Sequence, residues 1–432
     1  MEKSLKVNNS IIRTPNTLNI KLHYFFYSIF IFFIPFQKVL VKYFGAPKYL
    51  LYVDEILSLI LFFSFLIIVL NKRKIKSTIF PFLFIFLLFF IFGIISGLFN
   101  RNKVIITFLG IFDYLKNFIF VIGCYYFFRN YRFLKFIYNM LLKFVFIYVI
   151  ISIIQEIIFF IGGNVNKFFV PFVITRFGIL RTPSLLGHPN IFGLYILLFF
   201  TLNLFIKKRF NFMNIIILIG IFLSLSRFIW VSAIMIILLF SFEKRKITYK
   251  FLIFILLGIF LLFAAPYFIT HTNRELLTEN YFRGYSLFKS IEIWKDNKIF
   301  GVGPGMYGGV ISIMFNSPIY NKYSFSYHWY EFMKGFNSID QFYPQLLAET
   351  GIFGFLCFIG LMISLLRIPK KASKKILDPF LKGLLNGLSK IPIILLFYLI
   401  GSGLNMTAFL VTYTSILGMA LGVMKYENST RK

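Results

Sequence analysis

Long apolar runs alternate with short polar connections over almost the whole chain. Apolar windows fall at about 24–40, 50–70, 78–99, 104–128, 137–161, 185–206, 213–226, 228–242, 251–269, 346–366, 383–401 and 407–424. A hydrocarbon core of about 30 Å is crossed by roughly 20 helical residues, so these windows predict about twelve transmembrane helices. The seventh and eighth are short, and Arg227 falls between them, so they are read as two helices meeting at one membrane surface. Two polar connections are longer, Gly162–Ser184 and Thr270 to about Tyr343. Within the second, Tyr281, Tyr285, Phe288, Ile291 and Trp294 recur at helical spacing, with Arg283, Lys289, Glu292 and Asp296 off that stripe. This predicts an amphipathic helix that lies on the membrane or caps the bundle.

Composition and charge agree with that pattern. The chain is 59% hydrophobic and 21% aromatic, with a mean hydropathy of +0.82, more apolar than a water-facing surface allows. The fold class expected is an all-α polytopic membrane protein, one membrane domain over residues 1–432 with a large extracytoplasmic loop at about 270–345. A net charge of +31 raises the question of nucleic acid. The Lys and Arg residues instead cluster in every second connection: Arg73 and Lys74, Arg129 and Arg132, Lys207 and Lys208, Arg245 and Lys246, Lys370 and Lys371. By the positive-inside rule these loops are cytoplasmic, which excludes a nucleic-acid partner as the reason for the charge and puts both termini inside. Residues 1–22 are read as a retained cytoplasmic segment, because no small-residue cleavage site follows. Cys124 and Cys357 sit in apolar runs without CxxC spacing and are expected to be buried small hydrophobes.

Ionisable residues inside or at the ends of spans are expensive and point to function. Those singled out lean toward the outer side: Arg181, His188 and Asn190 at the start of the sixth span, Arg227 in Ser224-Leu-Ser226-Arg227, Arg283 at the head of the loop helix, and Glu156. Arginines converging on one pocket suit a pyrophosphate, because the guanidinium fork binds such oxygens in pairs. An outer-end Arg also snorkels to head groups, and spacing alone leaves both readings open for Arg181 and Arg227. Asp113 and Lys116, three apart on one helix, are read as a self-contained ion pair without a catalytic role. Asp340 precedes an apolar helix, where Ser338 and Gln341 fit a capping box, although Pro344 lies deep for that frame. His328, in Tyr327-His328-Trp329, is either a base or a packing residue. Glycines 301, 303 and 305 in Gly-Val-Gly-Pro-Gly permit tight turns. There is no Walker loop, Rossmann fingerprint, HExxH or GxSxG.

Three stretches together resemble the O-antigen polymerase and O-antigen ligase superfamily, the Wzy/WaaL proteins. They are Arg181–Gly193 with Gly187-His188-Pro189-Asn190-x-x-Gly193, the Ser226-Arg227 helix start, and Arg283–Gly305 followed by Leu346-Leu-Ala-Glu349-x-Gly351-x-x-Gly354. The resemblance covers roughly residues 175–366 and implies glycosyl transfer from an undecaprenyl-pyrophosphate-linked oligosaccharide at the outer face of the bacterial cytoplasmic membrane. It implies no metal and no other cofactor, and partners that include a flippase and a chain-length regulator. In that reading Asp340, Arg227 and Arg283 are catalytic, and Arg181, His188, Asn190, Gly303, Gly305, His328 and Glu349 bind substrate. The family's ligases resemble one another in carrying a His where this chain has Asp340, which favours polymerase over ligase. A lipid-linked-sugar flippase is the rival from another class, though the internal repeats that many transporters carry are not evident here.

Overall fold

A computed structural model describes residues 17–72, 78–171, 173–244, 281–336, 338–339 and 341–430. The expected ninth span at 251–269, most of the segment 1–22, the basic residues Arg73, Lys74, Lys76, Arg245 and Lys246, and Asp340 lie outside the described residues.

The protein is an all-α polytopic membrane protein. In chain order the helices are α1 Thr17–Phe33, α2 Gln37–Tyr43, α3 Val53–Lys72, α4 Phe80–Phe99, α5 Val104–Phe127 and α6 Tyr131–Phe160. Then come α7 Pro189–Lys207, α8 Phe212–Leu223, α9 Arg227–Lys244, α10 Phe282–Asp296, α11 Val310–Met314, α12 Ile319–Lys322 and α13 Tyr327–Phe336. The chain ends with α14 Phe342–Ser373, α15 Pro379–Leu388, α16 Ile391–Tyr398 and α17 Thr407–Thr430. Among the described residues nine helical segments are long and apolar enough to span a bilayer, and α8 is a tenth, shorter apolar helix.

The core follows from where the apolar residues have no lipid to face. α17 and α7 are almost wholly buried over their apolar windows, 89% and 83% respectively, whereas the span Lys48–Ile67, which holds most of α3, is 22% buried. α5 and α17 therefore form the central pair with α7 beside them. Gly418 and Gly422 let α17 approach close to the Val121 and Tyr125 carbonyls of α5, the small-residue contact by which membrane helices pack without a hydrophobic driving force. α3 instead turns Ile60, Phe63 and Ile67 outward. Cys124 is fully buried and lies 2.8 Å from the Tyr27 hydroxyl, while Cys357 is half-buried.

The expected pair of short helices is present. α8 ends at Leu223, Leu225 adopts a positive φ of 45°, and α9 begins at Arg227. α15 and α16 likewise share the window predicted as one span, broken at Ser389–Lys390, where the Lys390 ammonium meets Glu243 at 2.6 Å.

α14 is interrupted at Gly351, whose φ of 62° and ψ of −165° are outside the helical region. The Ile352 N–H turns away to the Lys298 carbonyl at 3.0 Å, which releases the Ala348 carbonyl from the helical ladder. Val302 N–H takes it at 2.9 Å, and Gly303 N–H takes that of Glu349 at 2.9 Å. The Gly301–Gly305 segment is thereby joined edge-on to a membrane helix. Its other side is satisfied by the end of α4 and the turn that follows: Ser96 donates to the Phe300 carbonyl, Asn100 to Gly301 (2.9 Å) and Asn102 to Val302 (2.8 Å). Irregular backbone at membrane depth survives only when its polar groups are satisfied in this way.

The loop helix α10 exists, but its buried face differs from the aromatic stripe expected. Phe282, Gly284, Ser286, Ser290 and Ile293 are buried, whereas Tyr281 and Phe288 are 45% and 41% exposed. Small residues win the inner face because α10 lies close to α14 and to Tyr307, whose hydroxyl donates to the Ser286 carbonyl at 3.0 Å. Tyr285 works from the flank, packing on Phe325 and Trp329. The helix therefore caps the bundle through its serines.

Candidate functional site

The long loop, the hairpin Thr175–Arg176/Ile179–Leu180 and the turn between α16 and α17 gather at one end of the bundle. Two openings meet there. A small polar cleft of about 30 Å³ is lined by Asp113, Lys116 and Asn117 of α5, by Ser338 and Ile339, and by Gln345 and Asn405. A groove of about 350 Å³ is lined by Lys38, Lys42, Asp54, Leu186, Ile191 and Ala408. Thr407, at the start of α17, lines both.

The floor of the cleft carries charge. Lys116 reaches Asp113 and Glu55 at 2.8 Å each, with its side chain 15% exposed. The pair expected to be self-contained on α5 is thus a three-residue network joining α3 to α5. One cation between two carboxylates leaves the network net negative, and its Asp113 and Lys116 line the cleft, where a carboxylate accepts hydrogen bonds from hydroxyls.

The Ser338–Gln341 stretch forms one wall. The expected capping box is absent: Gln341 is the N-cap of α14 without a side-chain capping bond, and Pro344 occupies the third helical position. A proline in the first turn removes no ladder bond, which is why the helix starts that late. Ser338 instead approaches Asn405 (3.5 Å), Ile339 N–H donates to the Gly308 carbonyl (2.8 Å), and the Gln341 side chain lies 3.5 Å from the Ser286 hydroxyl. The residues on both sides of Asp340 are therefore held, and Ile339 lines the cleft.

None of Arg181, His188, Asn190, Arg227 and Arg283 is among the residues that line the cleft or the groove. Arg283 lies in the first turn of α10, three residues before the Ser286 that meets Gln341. Arg227 begins α9, and its neighbour Phe228 packs so closely on Gly401 that a Cβ there would sit 2.4 Å from the ring. Gly401 opens the turn whose Gly403, Leu404 and Asn405 line the cleft. Arg181 donates to the Asn190 side chain at 2.7 Å, and His188 caps α7 through Asn190 N–H at 3.2 Å. This corner is tied to the α8–α9 turn by Thr182 N–H to the Leu223 carbonyl (3.2 Å) and by Arg176 to the Leu225 carbonyl (2.6 Å). A Cβ added to Gly187 would lie 3.6 Å from Lys38, which lines the groove.

Other expected residues stand apart from both openings. Glu349 is buried, accepting from the Tyr114 hydroxyl (2.6 Å) and from Tyr307 N–H (2.7 Å). Gly303 and Gly305 are buried at positive φ, 102° and 81°. A Cβ on Gly110 of α5 would lie 2.4 Å from Gly305 N, so these glycines serve close packing of backbone on helix. His328 is exposed on α13, its ring 4.8 Å from Trp329. Glu156 accepts from Leu180 N–H at 3.2 Å and pins the hairpin.

Sequence reasoning missed Asn117, Gln345, Asn405 and the α16–α17 turn. The available signal was Gly401-Ser402-Gly403-Leu404-Asn405, a polar, glycine-rich interruption between two apolar runs.

No curated protein matches the chain. Residues 212–359, about a third of its length, match the family model described as O-antigen ligase, a stretch that contains Arg227, Arg283, the glycine loop, His328, Asp340 and Glu349 and stops short of Arg181. Over that stretch the chain is similar to the O-antigen ligase family.

Proposed function

We propose that the chain is a polysaccharide polymerase, joining undecaprenyl-pyrophosphate-linked oligosaccharide repeats at the outer face of the bacterial cytoplasmic membrane. The observation that carries this reading is the junction at Thr407 of a lysine-rimmed, partly apolar groove with a polar cleft lined by Asp113 and Lys116. A lipid-linked oligosaccharide has the matching sequence of chemistries: an apolar chain, an anionic diphosphate and a run of hydroxyls. Lys38 and Lys42 suit the diphosphate, and Asp113, in its network with Lys116 and Glu55, suits sugar hydroxyls.

In the transfer, an acceptor hydroxyl attacks the anomeric carbon of the donor sugar. The bond from that carbon to the diphosphate oxygen breaks, and undecaprenyl pyrophosphate leaves with the electron pair. Arg227 and Arg283 stabilise the charge that builds on the leaving oxygen, which preorganised cations do best in a site shielded from water. Asp340 takes the hydroxyl proton, a contribution of about 10²- to 10⁴-fold for a positioned base. Asp340 in place of the ligases' His supports polymerase over ligase.

The test is complementation of a deletion strain with wild type, Arg227→Ala or Asp340→Ala, with surface polysaccharide and lipid-linked intermediates resolved on gels. Single repeats in place of long chains, rescued by wild type alone while every variant reaches the membrane, is the expected result. Long chains accumulating on the carrier identify a ligase. Repeats trapped on the cytoplasmic face identify a flippase.

A further inference from the structure

At the opposite end of the bundle, α4 and the second half of α14 diverge around a groove of about 630 Å³. Its deep wall is apolar, formed by Pro81, Ile85, Ile363 and Ile368, and the helices close at the bottom where Gly360 faces Ile85. Its mouth is cationic: Arg367 and Lys371, four apart, share one face of α14, and Lys375, just past the helix end at Ser373, lines the mouth with them. All three are exposed, and among the described residues no carboxylate lines the groove.

Like charges four residues apart on a helix repel. The helix C-terminus offsets part of that cost, although Lys370, in the same last turn as Lys371, faces it without lining the groove. An apolar trough that ends in three clustered cations at a membrane surface has one complementary occupant, a lipid with an acyl chain and an anionic head group.

We infer that this groove is a binding site for an anionic phospholipid of the leaflet at the basic end of the bundle. The acyl chain lies along Pro81, Ile85 and Ile363, and the phosphate bridges Arg367, Lys371 and Lys375. The site is remote from the cleft and independent of the proposed transfer reaction.

The experiment uses the full chain purified in detergent, with lipid retention read by native mass spectrometry against phosphatidylglycerol, phosphatidylcholine and inorganic phosphate. Two variants carry the same loss of charge: Arg367→Gln/Lys371→Gln inside the groove, and Lys370→Gln/Lys374→Gln beside it. Both change exposed side chains, and each must elute as wild type does before it is compared. Wild type should retain phosphatidylglycerol in preference to phosphatidylcholine, the first variant should bind it on the order of tenfold more weakly or worse, and the second should match wild type. Equal weakening of both variants would reduce the effect to bulk surface charge and overturn the site. Equal retention of phosphatidylcholine, or full displacement by phosphate, overturns it as well.

Discussion

The Tyr114 hydroxyl of α5 donates to Glu349 of α14 across 2.6 Å, in a place where both side chains are buried. The other Glu349 oxygen accepts Tyr307 N–H at 2.7 Å, so one carboxylate joins two membrane helices to the loop above them. Deleting one member of such a set strands the others without water. Glu349→Ala is expected to cost about 3 kcal/mol or more of stability, and Tyr114→Phe about 1–2 kcal/mol, with Glu349→Gln between them. Thermal unfolding in detergent reads the order, and wild-type behaviour of Glu349→Ala would disprove the clasp.

Gly110 and Gly335 make a matched contrast. A Cβ on Gly110 meets the Pro304–Gly305 backbone at 2.4 Å, whereas one on Gly335 finds nothing within 4 Å. Gly110→Ala should lower the unfolding midpoint and separate the loop from α5. Gly335→Ala, on a helix with open space, should be neutral or stabilise by about 0.5–1 kcal/mol. Limited proteolysis of the 281–336 region reports both, and faster cleavage is expected only in the first.

Lys116 is held by two carboxylates whose side chains are 34% and 35% exposed. Lys116→Met should destabilise by about 2–3 kcal/mol, after allowance for that solvent access. The triple variant Glu55→Gln/Asp113→Asn/Lys116→Met, which strands no charge, should regain most of the stability. Polymer yield in the complementation assay should stay low in the triple variant. Full activity there would remove the network from the site.

Arg181 is presented by Asn190. Asn190→Asp would convert a neutral contact into an ion pair and withdraw the guanidinium from an anionic ligand. Polymer formation should fall by roughly tenfold with the unfolding midpoint unchanged or raised. Asn190→Ala, by contrast, should lose less activity.

The membrane helices were legible because lipid imposes a length and a polarity on each of them. Even the break at Arg227 showed, since a charge flanked by serines cannot lie mid-span without consequence. The loop was less legible. In α10 a large aromatic stripe outweighs Gly284, Ser286 and Ser290 in any hydropathy reading, yet those small residues take the buried face because a neighbouring backbone lies close. Gly303, Gly305 and Glu349 advertise chemistry in one dimension, whereas in three they seat the loop on α4, α5 and α14. The Asp113–Lys116 pair looked complete because Glu55, its third member, is 61 positions from Lys116 in sequence. Asn405 belongs to the same class, reaching Ser338 from a turn that hydropathy marks only as a gap.

The interruption at Gly351 has a mechanical corollary. Residues 301–303 occupy hydrogen-bonding positions that a continuous α14 would have filled itself, so the loop is spliced into the span. The lower half of that span also forms the wall of the basic groove at the far membrane surface. The one span thus carries, on either side of Gly351, the seat of the loop and the wall of the basic groove.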